Sequence, residues 1–182
     1  MGAVAKPLLM TVDQYRLLPA REDVILELHW GTVVTLTRPK MKHAKVQLGL
    51  VRLLQPFALD LGIFAIEGAF RALPEYDLRG ADVAVVSQAR WDNTPDDDNL
   101  KGSPELVIEV PSPSNTRAEM REKAALCLST GAEEFWVVDT KQNTVRVTRR
   151  SSEETLYRPG DRIPLTVFGG GARLETTPIF RS

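Results

Sequence analysis

Three runs constrain this chain more than anything else in it: ADVAVV at 81–86, ELVIEV at 105–110 and EFWVVD at 134–139. Each is short, almost continuously apolar and rich in β-branched or aromatic side chains. A strand buried on one face alternates apolar with polar, whereas a strand buried on both faces does not. The runs therefore call for a sheet covered on both sides, and the chain offers helices to cover it. One helix is expected from about Lys42 to Leu61, with Val46, Leu50, Leu53, Leu54, Phe57 and Leu61 at helical spacing and Pro56 as a kink or break. A second is expected from a cap at Asn115 or Thr116 to Ser129, stopped by Gly131. Upstream, TVDQ at 11–14 has the form of a capping box, with Thr11 as cap, and a short helix ends near Pro19. Residues 24–37 read as a hairpin turning at Trp30–Gly31, and IFAIEGAF at 63–70 as a further strand. TVRVT at 144–148 follows the third run through the turn TKQN, with weaker strands near 155–158 and 163–168 before the triple glycine at 169–171.

The fold class is thus α/β (α+β), a central mixed sheet flanked by helices, with an N-terminal helix and hairpin. The pattern does not fix strand order. One domain is expected over residues 1–182, its core at about 24–150 and strands plus tail at 151–182.

Composition narrows the chemistry. Lys and Arg total 23 against 24 acids, for a net charge of −1, so any nucleic-acid contact must come from a local patch. A single cysteine, Cys127, excludes an internal disulfide and a cysteine zinc cage and is expected in the core. The start of the chain has no signal-peptide pattern and no apolar run spans a bilayer, so a cytoplasmic protein without membrane contact is expected. There is no Walker A motif and no G-x-S-x-G, and the triple glycine precedes no clear helix, so no nucleotide cofactor is expected. DNTPDDDN at 92–99 lacks the spacing of a calcium loop and reads as a solvated loop.

The informative residues are acids in apolar strands. Glu109 lies between Ile108 and Val110, where an ionised carboxylate needs a cation, a proton or water. Asp82 opens its own strand, so if the two strands pair, the acids meet at matching ends. Two adjacent carboxylates repel and call for a cation, and oxygen ligands without cysteine suit Mg²⁺ or Mn²⁺. Lys123, one to two turns into the helix after Glu109, can fold back over that strand end to orient a water or steady developing negative charge. Two acids, a hard metal and a lysine suit hydrolysis of a phosphodiester. Arg38, Lys40, Lys42 and Lys45, a stretch without acids, are the local candidates for phosphate contact.

GADVAVV, PELVIEVPSPS and RAEMREKAALCLSTGAEEFWVVD together resemble the Uma-two family of restriction-endonuclease-like proteins, placed in the PD-(D/E)xK nuclease superfamily. The resemblance covers most of the chain and is most specific at 104–139. It implies a metal-dependent endonuclease acting on DNA, with Asp82 as the motif aspartate and Glu109 as the motif glutamate. The usual lysine two residues on is replaced by Pro111, and Lys123 on the following helix matches the lysine of this branch. The resemblance also makes His43 a catalytic candidate, aligns Arg79 with the position three before the aspartate, and places Glu119 at a usual acid position. Ala81 replaces the motif proline and Cys127 a usual tyrosine. Ligands would be Asp82, Glu109 and the Val110 carbonyl, and a two-stranded target implies a homodimer.

Plainer readings compete. Glu109 could pair structurally with Arg121 or Lys123. Glu119 and Lys123 are spaced as an ordinary helical ion pair. Glu67, the other acid in an apolar strand, is either a further ligand or an exposed edge residue, and His43 alone reads as a capping or core residue. The whole could also be a catalytically weak nuclease fold serving as a nucleic-acid-binding or protein-interaction module.

Overall fold

The computed structural model describes residues 9–58, 62–112, 115–169 and 171–181. The capping box forms as expected: Thr11 Oγ1 accepts from the Gln14 amide while the Gln14 side chain accepts from the Thr11 amide, and α1 runs Val12–Tyr15. Strands β1 (Val24–His29) and β2 (Thr32–Thr37) make the expected hairpin. Its two-residue turn has positive φ at both Trp30 (51°) and Gly31 (76°), the geometry that matches strand twist.

Helix α2 runs Met41–Ala58, and Pro56 does not break it. Arg52 and Pro56 both lie on the exposed side, so water can take the carbonyl that the proline leaves without a donor. The expected last turn at 59–61 lies outside the described residues. Next come β3 (Ile63–Arg71), β4 (Arg79–Val86), α3 (Gln88–Asp92), β5 (Leu100–Lys101) and β6 (Leu106–Glu109). Helix α4 (Arg117–Ser129) is capped by Thr116, and β7 (Glu134–Asp139), β8 (Thr144–Arg149) and β9 (Glu154–Tyr157) complete the main sheet. Short β10 (Arg162–Pro164) and β11 (Arg173–Glu175) pair with each other. The strand expected at 163–168 is only the first part of that stretch. Residues Thr166–Phe168 form a 3₁₀ turn that Gly169 closes at φ 88°.

The seven-stranded sheet has the order β5-β3-β4-β6-β7-β8-β9. It is mixed: β6–β7 and β3–β5 are parallel, and the other ladders are antiparallel. Successive residues of β6 face opposite ways. Leu106 and Ile108 join Val46, Leu50 and Leu54 of α2 in one core, while Val107 joins Ala124, Leu126 and Cys127 of α4 in the other. This is the two-sided burial that the apolar runs demanded. Ile163, Leu165, Leu174 and Ile179 enter the α2-side core, so the segment beyond residue 150 is built into the core rather than left as a tail.

The acidic loop also departs from expectation. Asp98 is held rather than free: it accepts from Arg16 Nη2 at 2.5 Å, Arg71 Nη1 at 3.0 Å and the Asn99 amide at 2.8 Å.

Candidate active site

The middles of β3 and β4 meet the end of β6 because of register. In the antiparallel β4–β6 ladder Val83 faces Ile108, which sets Asp82 across from Glu109. Asp82 Oδ2 accepts from the Val110 amide at 2.6 Å, so the contact made by Val110 is through its N–H. In the β3–β4 ladder Ile66 faces Val83 and Gly68 faces Ala81, which sets Glu67 across from Asp82 on the other side. Three acids thus lie on three adjacent strands. Glu67 is exposed, because β5 pairs with β3 only at Phe70 and Arg71, and it has φ 53°, inside the left-handed region, in the middle of a strand.

Helix α2 closes one side. His43 Nε2 sits 2.9 Å from Asp82 Oδ1 and 4.0 Å from Glu67 Oε1. Gln47, one turn on and buried, donates through its side-chain amide to Glu67 and, at 3.4 Å, to Asp82. Ligand atoms of His43, Glu67 and Asp82 all lie within 4.8 Å of one another, close enough to share a metal ion.

Helix α4 closes the other side. Lys123 Nζ is 2.9 Å from Glu109 Oε1 and donates to the Gly80 carbonyl at 2.7 Å. The ammonium thus bridges that carbonyl and Glu109 Oε1, which is buried beside the positive charge. The helical ion pair between Glu119 and Lys123 is replaced by the pair with Glu109. Glu119 instead completes the cap of α4, its carboxylate accepting from the Thr116 amide at 2.7 Å, and it takes no part in the cluster. Arg79 is a buried clamp: it donates to Asp77 at 3.1 Å and to both carboxylate oxygens of Glu122 at 2.7 and 2.9 Å. That fork ties β4 to α4 one residue before Lys123.

Two participants escaped the sequence reading. Glu27 is buried on β1; Oε1 accepts from the Gly80 amide at 2.7 Å and Oε2 lies 2.6 Å from His29 Nε2. Its signal was the one that flagged Glu109, an acid inside an apolar strand. Gln47 stands four residues after His43 and so shares its helix face.

Charge follows burial and pairing. Burial raises the Glu109 carboxyl above its ordinary value, with Asp82 and Glu27 adding to the rise and Lys123 opposing it. Burial alone would lower the Lys123 ammonium, but the Glu109 and Glu27 carboxylates outweigh it and hold the amine protonated. The hydrogen bond to Asp82 raises His43, against its partial burial. Of the basic stretch, Arg38 is committed to the backbone carbonyls of Glu22 at 2.7 Å and Arg21 at 3.4 Å. Lys40, Lys42 and Lys45 are exposed where α2 begins, beside His43.

No curated protein matches the chain. Among solved structures it is similar to a protein from Anabaena variabilis ATCC 29413 titled a "putative nuclease belonging to DUF820". The TM-score is 0.79 at 20% identity over 94% of this chain and 98% of that one, a likeness of fold. A family model described as "Putative restriction endonuclease" matches residues 12–177, and on that match the chain belongs to the Uma2 family.

Proposed function

We propose that this protein is a metal-dependent endodeoxyribonuclease, one domain over residues 1–182, that hydrolyses phosphodiester bonds where the middles of β3 and β4 meet the end of β6. The observation that carries the reading is the convergence of Asp82, Glu67 and His43 on one side with the Glu109–Lys123 pair on the other. The donors fit a hard divalent ion: carboxylates dominate, and ligand atoms of His43, Glu67 and Asp82 lie within 4.8 Å of one another. Asp82 and Glu109 would hold it, with Glu67 and His43 adjoining and the Val110 carbonyl as a further ligand. The imidazole favours Mn²⁺ alongside Mg²⁺. Such an ion supplies charge to neutralise the phosphate and to acidify a water.

The chain's own groups do the rest. Lys123 remains an ammonium at neutral pH, so its role is to orient the attacking water and steady negative charge on the phosphoryl oxygens, not to remove a proton. The water oxygen bonds to phosphorus as one ester P–O bond breaks, the water's proton passing to solvent and the departing ester oxygen taking one from solvent. His43 and the exposed Lys40, Lys42 and Lys45 face the backbone, with Arg38 behind them. DNA as substrate, a cytoplasmic setting and a homodimer that brings two centres to a duplex complete the proposal.

A plasmid-nicking assay with Mg²⁺ and Mn²⁺ tests it. Wild type should cleave, and Glu109→Ala, Lys123→Ala and chelator should each abolish cleavage. Folded wild-type protein that cleaves neither plasmid nor oligonucleotide, while still binding DNA, would instead favour the binding-module reading. Equal cleavage by wild type and both variants would refute the site.

A further inference from the structure

The β3–β4 half of the sheet contributes Phe70 and Ala84 to the α4-side core, with Ala65 packed against it. A cavity of about 320 Å³ lies over it, walled by α3 and the 94–100 loop. Its floor is Ala65, Gly68 and Ala84, and its wall is Trp91, whose indole is 46% exposed. The cavity and the candidate centre are joined by register. Ala84 pairs with Ala65, Asp82 stands two residues along β4 at a spacing of about 7 Å, and Gly68 of the floor directly follows Glu67. The bend at Glu67 draws Gly68 in so that a Cβ there would meet Ala65 Cβ at 2.8 Å, which keeps the floor flat.

The rim narrows the occupant. Asp98 is engaged by arginines, but the Asp96 carboxylate has no hydrogen-bond partner among the described residues, and Asn99 lies beside it. An acidic rim repels phosphate and accepts from N–H groups. A flat apolar slot with one aromatic wall and an acceptor at its mouth suits a planar neutral ring bearing N–H donors. The phosphates, by charge, belong with Lys123 and the ion the centre would hold, and Glu67 of that centre adjoins Gly68 of the cavity floor.

We propose that this cavity holds an unstacked nucleobase with an amino-bearing edge, stacked on Trp91 and read by Asp96, while the adjoining phosphate occupies the centre. The inference rests on the nuclease reading. The base comes either from a single strand or from a duplex by extrusion.

The test is oligonucleotide binding in chelator, so that nothing is cut. Fluorescence anisotropy is measured with a single-stranded 12-mer, its duplex, and a series of each lacking one base in turn. Wild type is compared with Trp91→Ala, Trp91→Phe and Asp96→Asn, with thermal melts confirming equal folding. Trp91→Ala should weaken binding about 5- to 100-fold, and Trp91→Phe should retain most of it. Removing the base at one position should cost wild type a similar factor and cost Trp91→Ala almost nothing further. Loss confined to single strands assigns the base to an open strand; loss in duplexes as well assigns it to extrusion. If Trp91→Ala binds as wild type does, or its loss simply multiplies with base removal at every position, the cavity holds no base and the nuclease reading stands untouched. If wild type binds no oligonucleotide of either kind, the nuclease reading itself fails and this inference with it.

Discussion

At Glu67 the backbone takes a conformation that its side chain opposes. A non-glycine residue in the left-handed region costs roughly 1–2 kcal/mol, and mid-strand there is no turn to require it. The bend it produces aims the carboxylate at Gln47 and His43. Glu67→Ala and Glu67→Gly both remove those contacts, but only alanine keeps the strain. Glycine should therefore be the more stable of the two by about 1 kcal/mol, the reverse of the usual order in a strand. Thermal melts decide it, and alanine above glycine would show that the bend is unstrained. The Glu109–Lys123 pair gives a prediction with a sign in pH. A carboxyl raised above 4.5 in the fold binds protons that the unfolded chain has released, so its contribution to stability falls as pH rises through that window. Lys123 opposes this in the wild type. Lys123→Met leaves Glu109 buried and unpaired, at a cost of about 3–5 kcal/mol at pH 8. The cost should shrink toward pH 5, where Glu109 protonates, and Glu109→Gln in the same chain should remove its pH dependence. A loss of melting temperature equal at both pH values would argue against the pairing.

Among the elements, α4 has the most direct line from sequence to site. Thr116 and Glu119 cap it reciprocally, and its register places Lys123 over β4 and β6. Thr116→Ala should cost about 1 kcal/mol, or about 2–4 °C in Tm, and should lower nicking activity by loosening the turn before the lysine. Unchanged melting would mean the cap is not formed in solution. The elements were legible in the sequence where the signal is local: a capping box, the 3.6-residue period of α2, the unalternating strands. Pro56 does not split α2, because its cost depends on whether the freed carbonyl meets water, which only the tertiary placement of the helix decides. The β-branched run after Ile163 misled because Gly169 turns the chain out of a strand. Within the site, Asp82 and Glu109 stood out as charges beside apolar neighbours, and Lys123 by its place on the helix that follows Glu109. Gln47 did not, because an uncharged amide raises no question until the acids it bridges are in place. Glu119 was drawn in by its position, and its cap is equally well written in the sequence as T-x-x-E. The pairing of β3 with β4 and β4 with β6, which gathers the acids, depends on contacts far apart along the chain and has no local mark.

For the whole molecule the net charge of −1 gives no footprint for a polyanion, so binding must be localised. The fold supplies one place for that. The first turn of α2 has no acid, its lysines are exposed, and His43 in the same turn reaches the cluster. If Lys40, Lys42 and Lys45 touch phosphates, changing all three to alanine should lower the slope of log binding constant against log salt by about 1 for each lysine in contact. The loss should be uniform across sequences. Arg38 belongs to the same basic stretch but is tied to two backbone carbonyls across the hairpin's base, so Arg38→Ala should lower the melting temperature and leave the slope nearly unchanged. Anisotropy titrations from low to moderate salt, in chelator, separate the two. A slope unaffected by the triple change, or lowered as much by Arg38→Ala alone, would move the phosphate track away from the start of α2.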